Sequence, residues 1–179
     1  MPYTPIHLSI AYLARKIRPS LSLPALIVGS MVPDLEIPFV YIITGGQYGR
    51  LILHSFVGAA MFATLLSVAL TVFVYSPVIS HIFKLDSKIL RKRCRFSWSL
   101  VAVCFFGGLS HVSIDALHHQ YNPLLFPFSI DSFDSLVLLN DWTLASVIIP
   151  VMFLLLLIFL ILEEIRRGTN DIWYRLLVG

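Results

Sequence analysis

The sequence predicts an all-α integral membrane protein: four transmembrane helices, a short re-entrant helix before them and an interfacial helix after them, as one domain over residues 1–179. Three observations carry this. Of the residues, 58% are hydrophobic and only 13% charged, with a mean hydropathy of +0.85, whereas soluble domains carry about 25% charged residues because their surfaces face water. Apolar runs recur that are long enough to cross ~30 Å of hydrocarbon, which takes about 20 helical residues. Twelve of the thirteen Lys and Arg residues fall in segments that four spans place on one side. This composition excludes a soluble enzyme, and the abundance of large apolar side chains excludes a disordered chain. The net charge of +3 reads as topology, with no nucleic-acid partner, because basic residues beside spans set orientation.

Residues 4–18 are too short to cross. A helix running back from Arg18 places His7 about 16 Å into the bilayer, which suits a re-entrant helix. Arg15, Lys16 and Arg18 follow the apolar residues 6–13, the reverse of a cleaved targeting peptide, so the N-terminus is expected to be retained. The first span, 21–44, contains Asp34, Glu36 and Pro24, Pro33 and Pro38. Proline within a span frees backbone groups that only protein or a cavity can satisfy, so this span reads as a broken helix facing the bundle interior. Residues 52–75 and 143–162 contain no Lys, Arg, Asp or Glu, and 96–117 is interrupted by His111 and Asp115. After Glu163, Ile172, Trp173, Leu176 and Leu177 alternate with charges, the pattern of an interfacial amphipathic helix. The basic residues then put both termini and the 84–95 loop in the cytoplasm of a cell with this protein in its inner membrane, and leave Arg50 alone outside. Cys94 and Cys104, about 15 Å apart along a helix, are too far apart for a disulfide.

Ionisable groups inside a bilayer are costly unless paired, so each is a functional candidate. Here they are His7, Asp34, Glu36, His54, His111, Asp115, His118 and His119. His111 and Asp115 share one helix face, and His118 and His119 continue that stripe. Helical rise puts His111 about 24 Å and Asp115 about 30 Å from the basic side, with Asp34 at about 24 Å or somewhat less. His54 enters its span near the outer end, so several segments bring imidazole and carboxylate to one outer-leaflet depth. Such donors suit a divalent ion, zinc foremost, with Mn or Fe also accommodated. They outnumber the needs of one zinc, and a binuclear site is expected; such sites activate water and clamp the oxygens of a phosphoryl displacement. Asp34 also reads as a helix cap after Pro33, and Asp115 as a group that orients His111. Asp131, Asp134 and Asp141 read as a solvated outer loop, with Asp141 the one further ligand candidate among them, and the 84–95 cations as headgroup contacts.

These residues, Pro2-Tyr3-Thr4-Pro5-Ile6-His7, Gly29-Ser30-Met31-Val32-Pro33-Asp34-Leu35-Glu36, His54-Ser55 and Gly108-Leu109-Ser110-His111-Val112-Ser113-Ile114-Asp115, resemble the small prokaryotic membrane-bound metal-dependent hydrolases of the YdjM-like group. Their order is also distantly similar to the zinc-dependent phospholipase C and single-strand nuclease group. That likeness implies that Asp34, His54, His111 and Asp115 hold one ion, that Asp115 bridges to a second bound by His7, and that His119, or else His118, holds a third. Two departures, an N-terminus on the far side and no His-x-x-x-acid motif after His119, favour two ions over three.

The expected function is a metal-dependent hydrolase of a phosphoester in a lipid or lipid-linked substrate. Glu36, His118 and His119 are the candidate acid–base residues beside the metal ligands. No Gly-x-Ser-x-Gly elbow is present, which disfavours a serine hydrolase. The rival expectation is a transporter of divalent cations or protons, with intramembrane His and Asp as transit sites.

Overall fold

The computed structural model describes residues 4–179, with side chains from Ile6 onward. Pro2 and Tyr3 of the opening motif, and the N-terminal residue itself, lie outside the described residues. Every regular element among the described residues is helical. A 3-10 turn, Thr4–His7, leads into α1 (Leu8–Ile17), followed by α2 (Leu23–Ile43), α3 (Phe56–Phe83), α4 (Ser87–Arg93), α5 (Trp98–Asp115), α6 (Trp142–Arg166) and α7 (Ile172–Leu177). Helices α2, α3, α5 and α6 are each long and apolar enough to cross a membrane.

Side-chain caps mark where these helices begin. Oγ of Ser22, Ser55 and Ser97 accepts hydrogen bonds from the amides of Ala25, Gly58 and Leu100, and Asp141 Oδ1 accepts from Thr143 and Leu144. Such a side chain satisfies an amide that has no partner within the helix. Asp141 is therefore engaged as a cap at the head of α6. Helix α3 continues to Phe83, past the expected boundary at Tyr75, because Pro77 is absorbed: the turns at 70–75 widen to π geometry. It stops at Lys84, whose φ of 53° is left-handed.

The core is built on the contact of α2 with α5. Gly29 and Gly107 face each other so closely that a Cβ on Gly107 would lie 2.8 Å from the Gly29 carbonyl carbon. Around that contact Leu23, Leu26, Leu100, Val103 and Cys104 are buried. Helix α1 lies against α2 and α6. The outward faces of the spans stay apolar, with Leu65, Phe73, Leu155 and Phe159 all exposed, as lipid-facing surfaces must be. The tail closes the basic end of the bundle. Tyr12 Oη donates to the Leu176 carbonyl (3.0 Å) and Tyr75 Oη to that of Leu177 (2.8 Å), and Val178 is fully buried. Glu163 and Glu164 at that end pair with Lys16, Arg167 and Arg175.

Candidate metal centre

The site forms at the opposite end, where α2 loses its regular winding. Pro33 and Pro38 withhold amides from the helix, and residues Val32–Glu36 tighten to a 3-10 stretch. This buries Asp34 and Glu36 while Leu35 between them is exposed. Glu36 then organises the segment entering α3. Its Oε1 accepts from the Leu51 amide (2.9 Å), the His54 amide (3.2 Å) and His54 Nδ1 (2.8 Å), and its Oε2 accepts from the Leu53 amide (2.7 Å). The segment can fold back because residue 58 is glycine: a Cβ there would stand 1.6 Å from the Ile52 carbonyl oxygen. Glu36 thus sits behind the His54 ring with four hydrogen bonds made, the place of a residue that positions that ring.

Three of the imidazoles are oriented by Nδ1. His54 Nδ1 donates to Glu36, His111 Nδ1 to the Ser30 carbonyl (2.7 Å), and His118 Nδ1 to the Ile114 carbonyl (2.9 Å). With the proton on Nδ1, Nε2 presents a lone pair inward, and an orienting acceptor behind a histidine is the usual support of a metal ligand. Asp34 Oδ1 lies 3.5 Å from His54 Nε2 and 3.4 Å from His111 Nε2; Asp115 Oδ2 lies at the same two distances from the same nitrogens. Four donors at zinc–ligand lengths of about 2.0–2.2 Å in a tetrahedron stand about 3.3–3.6 Å from one another. The spacing of these residues is that of ligands around one ion.

Asp115 joins this set to a second. Its Oδ1 lies 3.3 Å from His7 Nε2 and 3.6 Å from His119 Nε2. Donor atoms of Asp115, His118 and His119 fall within 4.8 Å of one another, as do those of Asp34, His54, His111 and Asp115. His7 reaches the centre through Asp115 and by stacking on His111, with ring centroids 3.9 Å apart. Burial pushes His118 below the ordinary imidazole range. It takes His119 to about 2, with Arg50 and His118 adding to the effect against the pull of Asp115. Both rings are therefore neutral, the form that ligates metal.

Arg50 is a site residue that sequence reasoning missed. Its Nη2 donates to His119 Nε2 (2.8 Å) and lies 3.4 Å from Asp115 Oδ2. Its signal in the sequence was its isolation, as the one cation on the wrong side for the topology and four residues before His54. His54 Nε2, His111 Nε2, His118 Nε2 and both Asp115 oxygens are buried without a hydrogen bond among the described residues. Leaving such groups unmet costs about 1–3 kcal/mol each. Together they form a buried His/Asp cluster able to hold a metal ion.

A model of the family described as YdjM inner membrane protein matches residues 5–178. The chain belongs to the YdjM inner membrane protein family. No curated protein and no solved structure matches it. In this YdjM-family chain the His/Asp cluster draws on α2, the 51–55 segment, α5 and the turn that follows α5, with His7 reaching in from the segment before α1. It lies at the end of the bundle away from the basic residues of α1, α4 and α6.

Proposed function

We propose that this protein is a metal-dependent hydrolase of the inner membrane, acting on a phosphoester of a lipid or lipid-linked substrate with zinc at the centre. The single observation that carries the reading is the set Asp34, His54, His111 and Asp115, four donors within 4.8 Å of one another whose imidazole-to-carboxylate separations are 3.4–3.5 Å. Asp115, His118 and His119, with His7 beside them, supply donors for a second ion sharing Asp115. An ion held by these residues would supply Lewis acidity toward water and phosphoryl oxygens.

The chain's own residues do the rest. Glu36 fixes the His54 ring and the Ser30 carbonyl fixes that of His111, so the donors are preorganised. His118, fully buried, and His119 face Asp115 as neutral imidazoles, the form that gives a lone pair to an ion. In this reading the termini and α4 are cytoplasmic, which the positive-inside bias supports, and the site opens toward the outer leaflet, where a headgroup would approach laterally. The transporter reading fits less well. Asp34, Glu36, His111 and Asp115 gather in one cluster, and toward the basic end α3 and α5 carry Ser67, Thr71 and Cys104 before His81 is reached.

The test is elemental analysis of the purified protein beside His111→Ala, followed by a chelator-sensitive assay of phosphate release from amphiphilic phosphoesters. The parent is expected to hold zinc and His111→Ala to lose it together with activity. Metal retained in full by His111→Ala would overturn the assignment.

A further inference from the structure

A guanidinium has five N–H donors and is never neutral in proteins. The described residues give that of Arg50 one hydrogen bond, to a neutral imidazole, His119 Nε2. The nearest carboxylate oxygen, Asp115 Oδ2, stands at 3.4 Å, beyond the usual range for N–H···O. Arg50 Nε is buried and makes no hydrogen bond among the described residues. With its side chain 14% exposed, Arg50 touches the centre with one nitrogen and the outside with another edge. It is a full positive charge with donors to spare, at the mouth of a cation site.

Charge shows what such a residue is for. Asp34, Glu36 and Asp115 bring three negative charges. Two divalent ions and Arg50 would bring five positive ones, a surplus of two that a phosphate monoester dianion would cancel before any bound water ionises. Arginine's planar fork matches two non-bridging phosphate oxygens, which a point charge such as lysine cannot do.

We infer that Arg50 is the anion-reading residue of this centre, exchanging its bond to His119 for the non-bridging oxygens of a terminal, dianionic phosphate on the substrate. The inference rests on the hydrolase reading and deepens it: the group recognised is a phosphate monoester end, not an internal diester. The exchange also frees the His119 lone pair when substrate arrives, coupling binding to completion of the second ligand set.

The test uses inorganic phosphate and the purified, zinc-loaded full chain. Phosphate is expected to protect Arg50, and not the arginines of the basic end, from phenylglyoxal, read by peptide mass spectrometry. In calorimetric titration Arg50→Gln should keep the parent's zinc content while binding phosphate on the order of a hundredfold more weakly, with Arg50→Lys between the two. Equal labelling of Arg50 with and without saturating phosphate, or unchanged phosphate affinity in Arg50→Gln with its metal intact, overturns this inference alone. A parent chain that holds no metal overturns the hydrolase reading and this inference with it. Because labelling is read on the unmutated chain, a variant that fails to fold does not stop the test.

Discussion

Asp115 shows how much one carboxylate organises here. Its two oxygens face different partners, Oδ2 toward His54 and His111 and Oδ1 toward His7 and His119. No hydrogen bond among the described residues engages either oxygen. Glu36 is the opposite case, a carboxylate whose oxygens are occupied by three amides and one imidazole. That contrast separates ligand from support, and sequence could not supply it, because it depends on how residues 51–54 pass beneath α2. It also yields a prediction. Glu36→Gln turns one accepting oxygen into an N–H donor aimed at other donors, loosening His54 without removing a ligand. Zinc affinity, measured by competition with a chelator, should fall about 10–100-fold, whereas His111→Ala loses the ion. An unchanged affinity would mean that the carboxylate has no part in holding the ring.

At the scale of elements, the spans were legible because hydrocarbon thickness and helical rise are fixed quantities. The expected runs overlap α2, α3, α5 and α6, and the pairing of His111 with Asp115 follows from helical period alone; His118 and His119 were expected to continue that helical stripe, but α5 ends at Asp115 and the turn after it carries them. The closeness of α2 to α5 was not legible, since glycine marks a close contact only once its neighbour is known. It matters to the site because the Ser30 carbonyl can orient His111 only if the helices nearly touch. Gly107 and Gly108 are adjacent but see different surroundings: a Cβ on Gly107 meets Gly29 backbone at 2.8 Å, and one on Gly108 meets Ala59 oxygen at 3.5 Å. Gly107→Ala should therefore push the helices apart and cost about 1–3 kcal/mol, with weaker zinc retention. Gly108→Ala should raise stability by roughly 0.5–1 kcal/mol, the ordinary helical gain over glycine. Thermal unfolding in detergent compares the pair, and equal losses would show that the contact sets neither packing nor site.

For the whole molecule the question is which way the bundle faces. The positive-inside bias predicts that the Arg- and Lys-rich end, with the tail and α4, is cytoplasmic. The His/Asp centre, and the 118–141 segment beside it, then face the opposite side. A lipid-phosphate hydrolase would meet its headgroup there, and the orientation can be tested apart from any activity. The native thiols leave a clean background: Cys94 and Cys104 are both buried, and burial pushes the Cys94 thiol up to about 12, so little reactive thiolate forms at neutral pH. Single cysteines at the exposed positions Ser135 and Ser87, one near each end, report the two sides. In intact spheroplasts a membrane-impermeant maleimide should label Ser135→Cys and spare Ser87→Cys, and after lysis both should react. The inverse pattern would turn the site toward the cytoplasm, leaving the cluster's geometry in place while removing the outer-leaflet headgroup as its substrate.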